Sequence, residues 1–175
     1  MLSQVSDSVL LLSHKIIWWV HLFIVLAFFI VIPVTKLRHM FTITANYVFK
    51  DNEPTGKLVT LNMEDETIES FGVSKVTDFT WKDIFDADAC INCSRCQDVC
   101  PANATGKPLS PMSVINRIGN AAFNDPNINL IDDIGQDSIW SCTTCRACED
   151  ICPANNEHVN KIIDFRRNLV LMEGE

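Results

Sequence analysis

One cysteine pattern, written twice, constrains this chain more than any other feature. Cys90, Cys93, Cys96 and Cys100 form C-x2-C-x2-C-x3-C ahead of Pro101, and Cys142, Cys145, Cys148 and Cys152 repeat it ahead of Pro153. The copies are offset by 52 residues (142 − 90) and use all eight cysteines of the sequence. This is the bacterial-type ligand spacing for cubane [4Fe–4S] clusters. Three cysteines at two-residue gaps lie on a tight loop that wraps one cluster, with backbone N–H groups free to face the sulfurs. The fourth is directed elsewhere, and in two-cluster ferredoxins it completes the other site. The spacing therefore predicts one cluster on Cys90, Cys93, Cys96 and Cys152, and a second on Cys142, Cys145, Cys148 and Cys100. Zinc also takes four thiolates, usually from two separated C-x2-C pairs. The third cysteine, the following proline and the duplication all weigh against it. Pro101 and Pro153 fix φ and remove a donor, which turns the chain away from each cluster.

Charge divides the sequence. Residues 1–50 hold four basic side chains against one acidic, and the remainder holds ten against twenty-one, within a net charge of −8. The acidic part argues against nucleic acid as a partner, which needs Lys/Arg faces. It reads as an ordinary solvated surface, or as a field that steers a basic redox partner.

Residues 16–34, IIWWVHLFIVLAFFIVIPV, carry no formal charge. A helix of that length spans about 28 Å, close to the bilayer's hydrocarbon core of roughly 30 Å. A transmembrane helix is expected over about 16–34, within an anchoring region 1–50. A soluble core helix this apolar would need a large protein around it. A signal peptide would have a shorter apolar run, a basic leader and a small-residue cleavage site. Trp18 and Trp19 suit an interfacial belt, and Lys36, Arg38 and Lys50 follow the run. The positive-inside rule then places the cysteines on the cytoplasmic side of the inner membrane. Cytosolic thiols are kept reduced, so ligation is preferred to disulfides.

Three of the four histidines, His14, His21 and His39, fall in or beside this segment. An imidazole in hydrocarbon is a functional-site candidate by default, and neutral imidazole is a good axial ligand for haem iron. On a continuous helix His21 and His39, 18 residues apart, would share one face about 27 Å apart along the axis. The plainer readings are a helix-packing hydrogen bond for His21 and a juxtamembrane basic cluster for His39. His21-x17-His39, with Pro33-Val34-Thr35-Lys36-Leu37 before the second histidine, resembles the last haem-bearing helix of the respiratory nitrate reductase gamma-subunit type. The resemblance implies that His21 and His39 each ligate a different haem b, opposite histidines on other helices. Those helices would lie on a haem b subunit or in a longer chain of which this sequence is a fragment.

Residues 51–80 read as a linker. They hold a turn cluster at 51–56, a short β-compatible alternation at 57–62 and an acidic stretch at 63–70. Thr80 and Asp83 mark a helix start that leads into the first cysteine run. Residues 81–175 read as a helical dicluster ferredoxin domain. Ser110-Pro111 starts a helix that Asn124-Asp125-Pro126 stops, and residues 157–172 form another, with Val159, Ile162, Ile163, Leu169 and Val170 as its apolar face. No segment alternates strongly enough for a small βαβ ferredoxin. The predicted fold class is mainly α, an N-terminal transmembrane helix followed by a helical 2[4Fe–4S] domain. His158 and Arg146, beside the second motif, read as surface or packing residues ahead of sulfur donors. No nucleophile–base constellation, dinucleotide fingerprint or phosphate loop is present, so the sequence shows no catalytic site.

The runs CQDVCPANATGKPLS, IWSCTTCRACEDICP and HVNKIIDFRRNLVLMEGE resemble the ferredoxin module of heterodisulfide-reductase-related iron–sulfur proteins. The heterodisulfide reductase C and D subunits and the glycolate oxidase iron–sulfur subunit have related modules. In the membrane-bound branch a haem b domain precedes the ferredoxin and cysteine-rich CCG domains follow it. The resemblance implies single-electron transfer between a cytoplasmic redox partner and membrane haem b or quinone. The catalytic alternative is part of a thiol–disulfide reductase or a 2-hydroxy-acid oxidase iron–sulfur subunit.

Overall fold

A computed structural model of the chain describes residues 6–50, 56–61 and 70–174. Two compact units result, residues 1–40 and 41–175. Among the described residues the regular structure is all helical, with no strand. Residues 51–55 of the turn cluster, Asn62 of the alternation and residues 63–69 of the acidic stretch lie outside the described residues. Residues 57–61, where β alternation was expected, form no strand.

The first unit is dominated by α1 (Asp7–Val31), none of whose residues is buried. It starts nine residues before the uncharged run because Leu10, Leu11 and Leu12 continue the apolar surface toward the N-terminus. A helix apolar on every side belongs in a large core or in lipid. Residues 7–34 are long and apolar enough to cross a membrane. Pro33 then breaks the helix. Two short 3-10 turns, Ile32–Val34 and Lys36–Arg38, flank Thr35, whose backbone is extended (φ −119°, ψ 175°). The helix resumes as α2 (His39–Val48). The expectation that His21 and His39 share one face of a continuous helix is therefore corrected. Proline cannot donate the helical bond to Phe29, and the extended residue at 35 resets the direction of the chain.

In the second unit, Thr80 caps α3 (Trp81–Ala89) by accepting from Asp83 N–H, while the Asp83 carboxylate accepts from Thr80 N–H. This capping box satisfies two donors that a helix start leaves open. Two short helices, α4 (Arg95–Asp98) and α5 (Pro101–Ala104), carry the end of the first motif. Ser110 then caps the 14-residue α6 (Pro111–Asn124). Helices α7 (Leu130–Ile134) and α8 (Gln136–Trp140) lead to the second motif, α9 (Ala147–Asp150) lies within it, and α10 (His158–Asn168) closes the domain.

One core gathers α6, α7, α8 and α10 through Val114, Ile118, Leu130, Ile131, Ile139, Ile162 and Phe165, the last stacked edge-on against Phe79 at 5.6 Å. Val73, Val76 and Phe79, within the segment read as linker, are buried in that core. Gly72 permits this. Its φ is +75°, and a Cβ there would sit 2.4 Å from both Asn168 N and Asp164 O, so only glycine fits beside α10. On the opposite flank α3 packs on α6, where Gly119 faces Ala87. Val159, Ile162 and Leu169 of the expected apolar face are buried, whereas Val170 is 46% exposed because the last turn widens into a π-helix at Leu169–Glu173.

Candidate metal centre

The two motif loops share a backbone as well as a spacing. Asn92 and Ser94 have φ of 54° and 63°, and Thr144 and Arg146, 52 residues on, have 54° and 60°. None is glycine, so the loops hold non-glycine residues in the left-handed region at matched positions, a cost paired loops accept to turn successive N–H groups inward. In the second loop Thr144 N–H donates to Cys142 Sγ at 3.3 Å. After each loop a one-turn helix carries the third cysteine, and these helices, α4 and α9, pack against each other.

The thiols surround two cavities. Cys90, Cys93, Cys96 and Cys152 line one, together with Ile91, Ser94, Met112, Pro153, Ala154, Asn156 and His158. Cys100, Cys142, Cys145 and Cys148 line the other, with Pro101, Leu109, Pro111, Thr143, Arg146, Val159 and Ile162. The structure thus brings three cysteines of one loop together with the fourth of the other, twice. Cys96 and Cys148 meet Val159, Met112 and Ile163 in a small apolar cluster between the cavities. Cys93 and Cys145 are exposed. Among the described residues no three His, Cys, Asp or Glu side chains converge on a single-ion position; the thiols ring a space instead.

These surroundings fit a cluster. Each cavity offers four thiols and no carboxylate among its lining residues. Burial pushes the Cys90 and Cys142 thiols up, pushes Cys96 up to about 12, and raises Cys148 further still. Such thiols keep their protons until a cationic centre displaces them. Cys145 goes the other way, because the Ala147 N–H donates to it. In the first cavity the Asn156 side-chain N–H₂ is buried without an acceptor among the described residues. A buried donor lining a thiol-walled space is what a cluster sulfide would satisfy.

His158 is a lining residue of the first cavity and only 2% exposed, rather than a surface residue. Its Nδ1 faces the Asn156 carbonyl at 3.0 Å, and burial lowers its pKa to about 4, so the ring is neutral at pH 7. Arg146 lines the second cavity and pairs with Glu149 at 3.1 Å.

Behind the first cavity lies a polar network that the sequence did not mark. Asp86 is fully buried and accepts from Lys161 Nζ at 2.6 Å, Lys82 Nζ at 2.7 Å, Asn46 Nδ2 at 2.8 Å and Glu157 N–H at 3.2 Å. Burial works to raise Asp86, but the Lys161 charge and the two lysine hydrogen bonds outweigh it and hold the carboxyl below its ordinary value. Lys161 is also fully buried; burial works to lower it, and Asp86 and Asp83 carry it above its ordinary value. Asn46, on α2, also donates to Ala154 O at 2.8 Å. This ties residues 41–48 to the chain that leaves Cys152. Only Asn46's place in an otherwise amphipathic helix hinted at this. Of the other candidate histidines, His14 and His21 are exposed on α1, and His39, at the start of α2, is half-buried, with no partner for Nδ1 among the described residues.

Comparison with known proteins agrees with this geometry. Residues 89–156 match the 4Fe-4S dicluster domain. The chain thus carries an iron–sulfur module built on that domain. It is similar to the probable iron-sulfur-binding oxidoreductase FadF of Bacillus subtilis (39% identity over 100% of this chain and 31% of the relative). It is also similar to the EtfAB:quinone oxidoreductase of Syntrophomonas wolfei (36% identity, 98% of this chain and 28% of the relative). A probable membrane-anchored ferredoxin of Chromohalobacter salexigens is 37% identical over 63% of this chain and 20% of its own length. The chain thus spans less than a third of each of these relatives.

Proposed function

We propose that this chain is a membrane-anchored relay that passes single electrons between a cytoplasmic redox partner and haem b or quinone in the inner membrane. The observation that carries the reading is the crossed arrangement of thiols around two adjoining cavities. Cys90, Cys93, Cys96 and Cys152 hold the first [4Fe–4S] cluster, and Cys142, Cys145, Cys148 and Cys100 the second. When bound, each cluster accepts and returns one electron. The protein keeps the two close by packing Cys96 against Cys148 and excludes water there with Met112, Val159 and Ile163. It also presents Cys93 and Cys145 outward, the edges from which a partner exchanges electrons.

Helix α1 spans the membrane, and Lys36, Arg38 and Lys50 keep the cluster domain on the cytoplasmic side. His21 and His39 each offer one axial ligand to a haem b shared with helices outside this sequence; His39 Nδ1, buried without a partner among the described residues, supports that role. The similarity to a quinone oxidoreductase supports quinone as the membrane acceptor or donor. No cysteine remains beyond the two sets of four, which favours relay over thiol–disulfide catalysis within this chain.

Anaerobic purification from membranes tests the reading. About eight irons and eight sulfides per chain are expected, with haem b counted on the same sample. Cys100→Ser should remove the second cluster and Cys152→Ser the first. Loss of the first cluster in Cys100→Ser would break the crossed assignment, and stoichiometric zinc would end the redox reading.

A further inference from the structure

Arg166 sits on α10, one turn beyond Ile162, which lines the second cavity. Its side chain reaches back to the residues that lead into the second motif. Nε and Nη2 donate to the Ile139 carbonyl at 3.1 and 2.7 Å, and Nη2 donates to the Cys142 carbonyl at 2.6 Å. A longer bond of 3.3 Å reaches the Trp140 carbonyl, and the guanidinium carbon lies 5.1 Å from the centre of the Trp140 ring. A planar fork that bonds several carbonyls and stacks on an indole holds one geometry, which a lysine could not reproduce.

The charge on that fork is not cancelled locally. Its acceptors are neutral carbonyls, and among the described residues it forms no ion pair with a carboxylate. Of the other cations near the motifs, Arg146 meets Glu149, Lys82 meets Asp86, and Lys161 meets Asp86 and Asp83, while Arg95 of the first motif is exposed, where water and salt screen its charge.

The internal repeat supplies a control within the same molecule. Trp140 corresponds to Asp88 (140 − 52), and Ile139 and Cys142 correspond to Ala87 and Cys90. Among the described residues no arginine donates to the carbonyl of Ala87 or Cys90. The first cavity faces the neutral imidazole of His158 and the amide of Asn156 instead. A fixed positive charge beside a metal centre favours its reduced, more negative state, and the effect is large where water is excluded.

We propose that Arg166 is a positioning residue that holds the entry to the second motif and raises the potential of that centre, so that the second cluster is reduced before the first. The inference rests on the two-cluster reading above. It makes the pair directional: an electron arriving from either side settles on the Cys142–Cys145–Cys148–Cys100 centre.

The test is a stepwise anaerobic reduction of the full chain in detergent at controlled potentials, followed by EPR. Cys145→Ser and Cys93→Ser serve as spectral markers for the second and first centres. In the wild type the first signal to grow should be the one that Cys145→Ser alters. In Arg166→Gln the ratio of reduced to oxidised second centre at fixed potential should fall at least tenfold, a shift of about 59 mV for one electron. The first centre should keep its midpoint, and Arg166→Lys, which retains the charge, should recover most of the shift. The proposal is overturned if the first signal belongs to the centre altered by Cys93→Ser. It is also overturned if Arg166→Gln moves neither midpoint or moves both equally. Should Arg166→Gln fail to assemble the second centre, the wild-type order of reduction still decides. Iron and sulfide counts on the same samples separate the levels: fewer than two clusters overturns the relay reading, whereas two clusters with equal midpoints overturn only the role of Arg166.

Discussion

Lys161→Met probes the Asp86 network at its centre. Both partners are fully buried, and their 2.6 Å bond is the shortest in the network. Deleting one partner of a buried pair typically costs about 3–5 kcal/mol, because the other charge stays desolvated. Lys82 still reaches Asp86 at 2.7 Å, which places the expected loss at the lower end, about 3 kcal/mol. For a unit the size of residues 41–175, each kcal/mol moves the midpoint by roughly 3–5 °C, so a fall of about 10–15 °C is expected. Far-UV circular dichroism on the anaerobic holoprotein measures it. The pH dependence has a definite sign. Asp86 sits below its ordinary value of 3.8 in the folded chain, so its contribution is full above that pH and fades as pH falls through the folded value. Lys161 sits above 10.5, so its contribution is full below that pH and fades as pH rises through its folded value. In Lys161→Met burial is no longer offset, so Asp86 moves upward and the penalty shrinks as the solution is acidified. Adding Asp86→Asn removes the stranded charge while keeping an acceptor for Asn46, and should recover part of the loss. A single variant within 1 kcal/mol of wild type at pH 7, or a double variant no better than the single, would refute the reasoning.

Three further outcomes can be checked directly. Gly72→Ala forces a Cβ to 2.4 Å from two backbone atoms of α10 at φ +75°; a loss of roughly 3 kcal/mol or more is expected in urea unfolding. Thr80→Ala removes the α3 cap and should cost about 1 kcal/mol by the same method, with iron content unchanged. Asn156→Leu removes the unpaired buried donor of the first cavity; it should lower the midpoint of that centre alone in potentiometric EPR, since hydrogen bonds to sulfur raise cluster potentials.

What could be read from the sequence was local. Motif spacing, the C-P junctions, the caps at Thr80 and Ser110 and the apolar run at 16–34 each lie within one short window, where a residue type and its neighbours determine the outcome. The missed features join distant positions. Asn46 meets Ala154 across 108 residues, Lys161 meets Asp86 across 75, and Arg166 meets Cys142 across 24. A periodic pattern shows that a helix has a buried face but not what covers it. Val73, Val76 and Phe79 lacked periodicity because they lie on an irregular segment held by Gly72. The break at Ile32–Arg38 was signalled by Pro33, yet the histidine spacing favoured continuity; the extended backbone at Thr35 decides between them.

The crossing of the thiols also dictates the order in which the protein can mature. As the chain leaves the ribosome, Cys90, Cys93, Cys96 and Cys100 emerge first, yet they supply three walls of one cavity and a single wall of the other. The second cavity gains its fourth thiol only when Cys148 has been synthesised, and the first only at Cys152, 62 residues after Cys90. Completion of either centre therefore waits for the second motif, and a ribosome stalled between the two motifs would release a polypeptide able to complete neither.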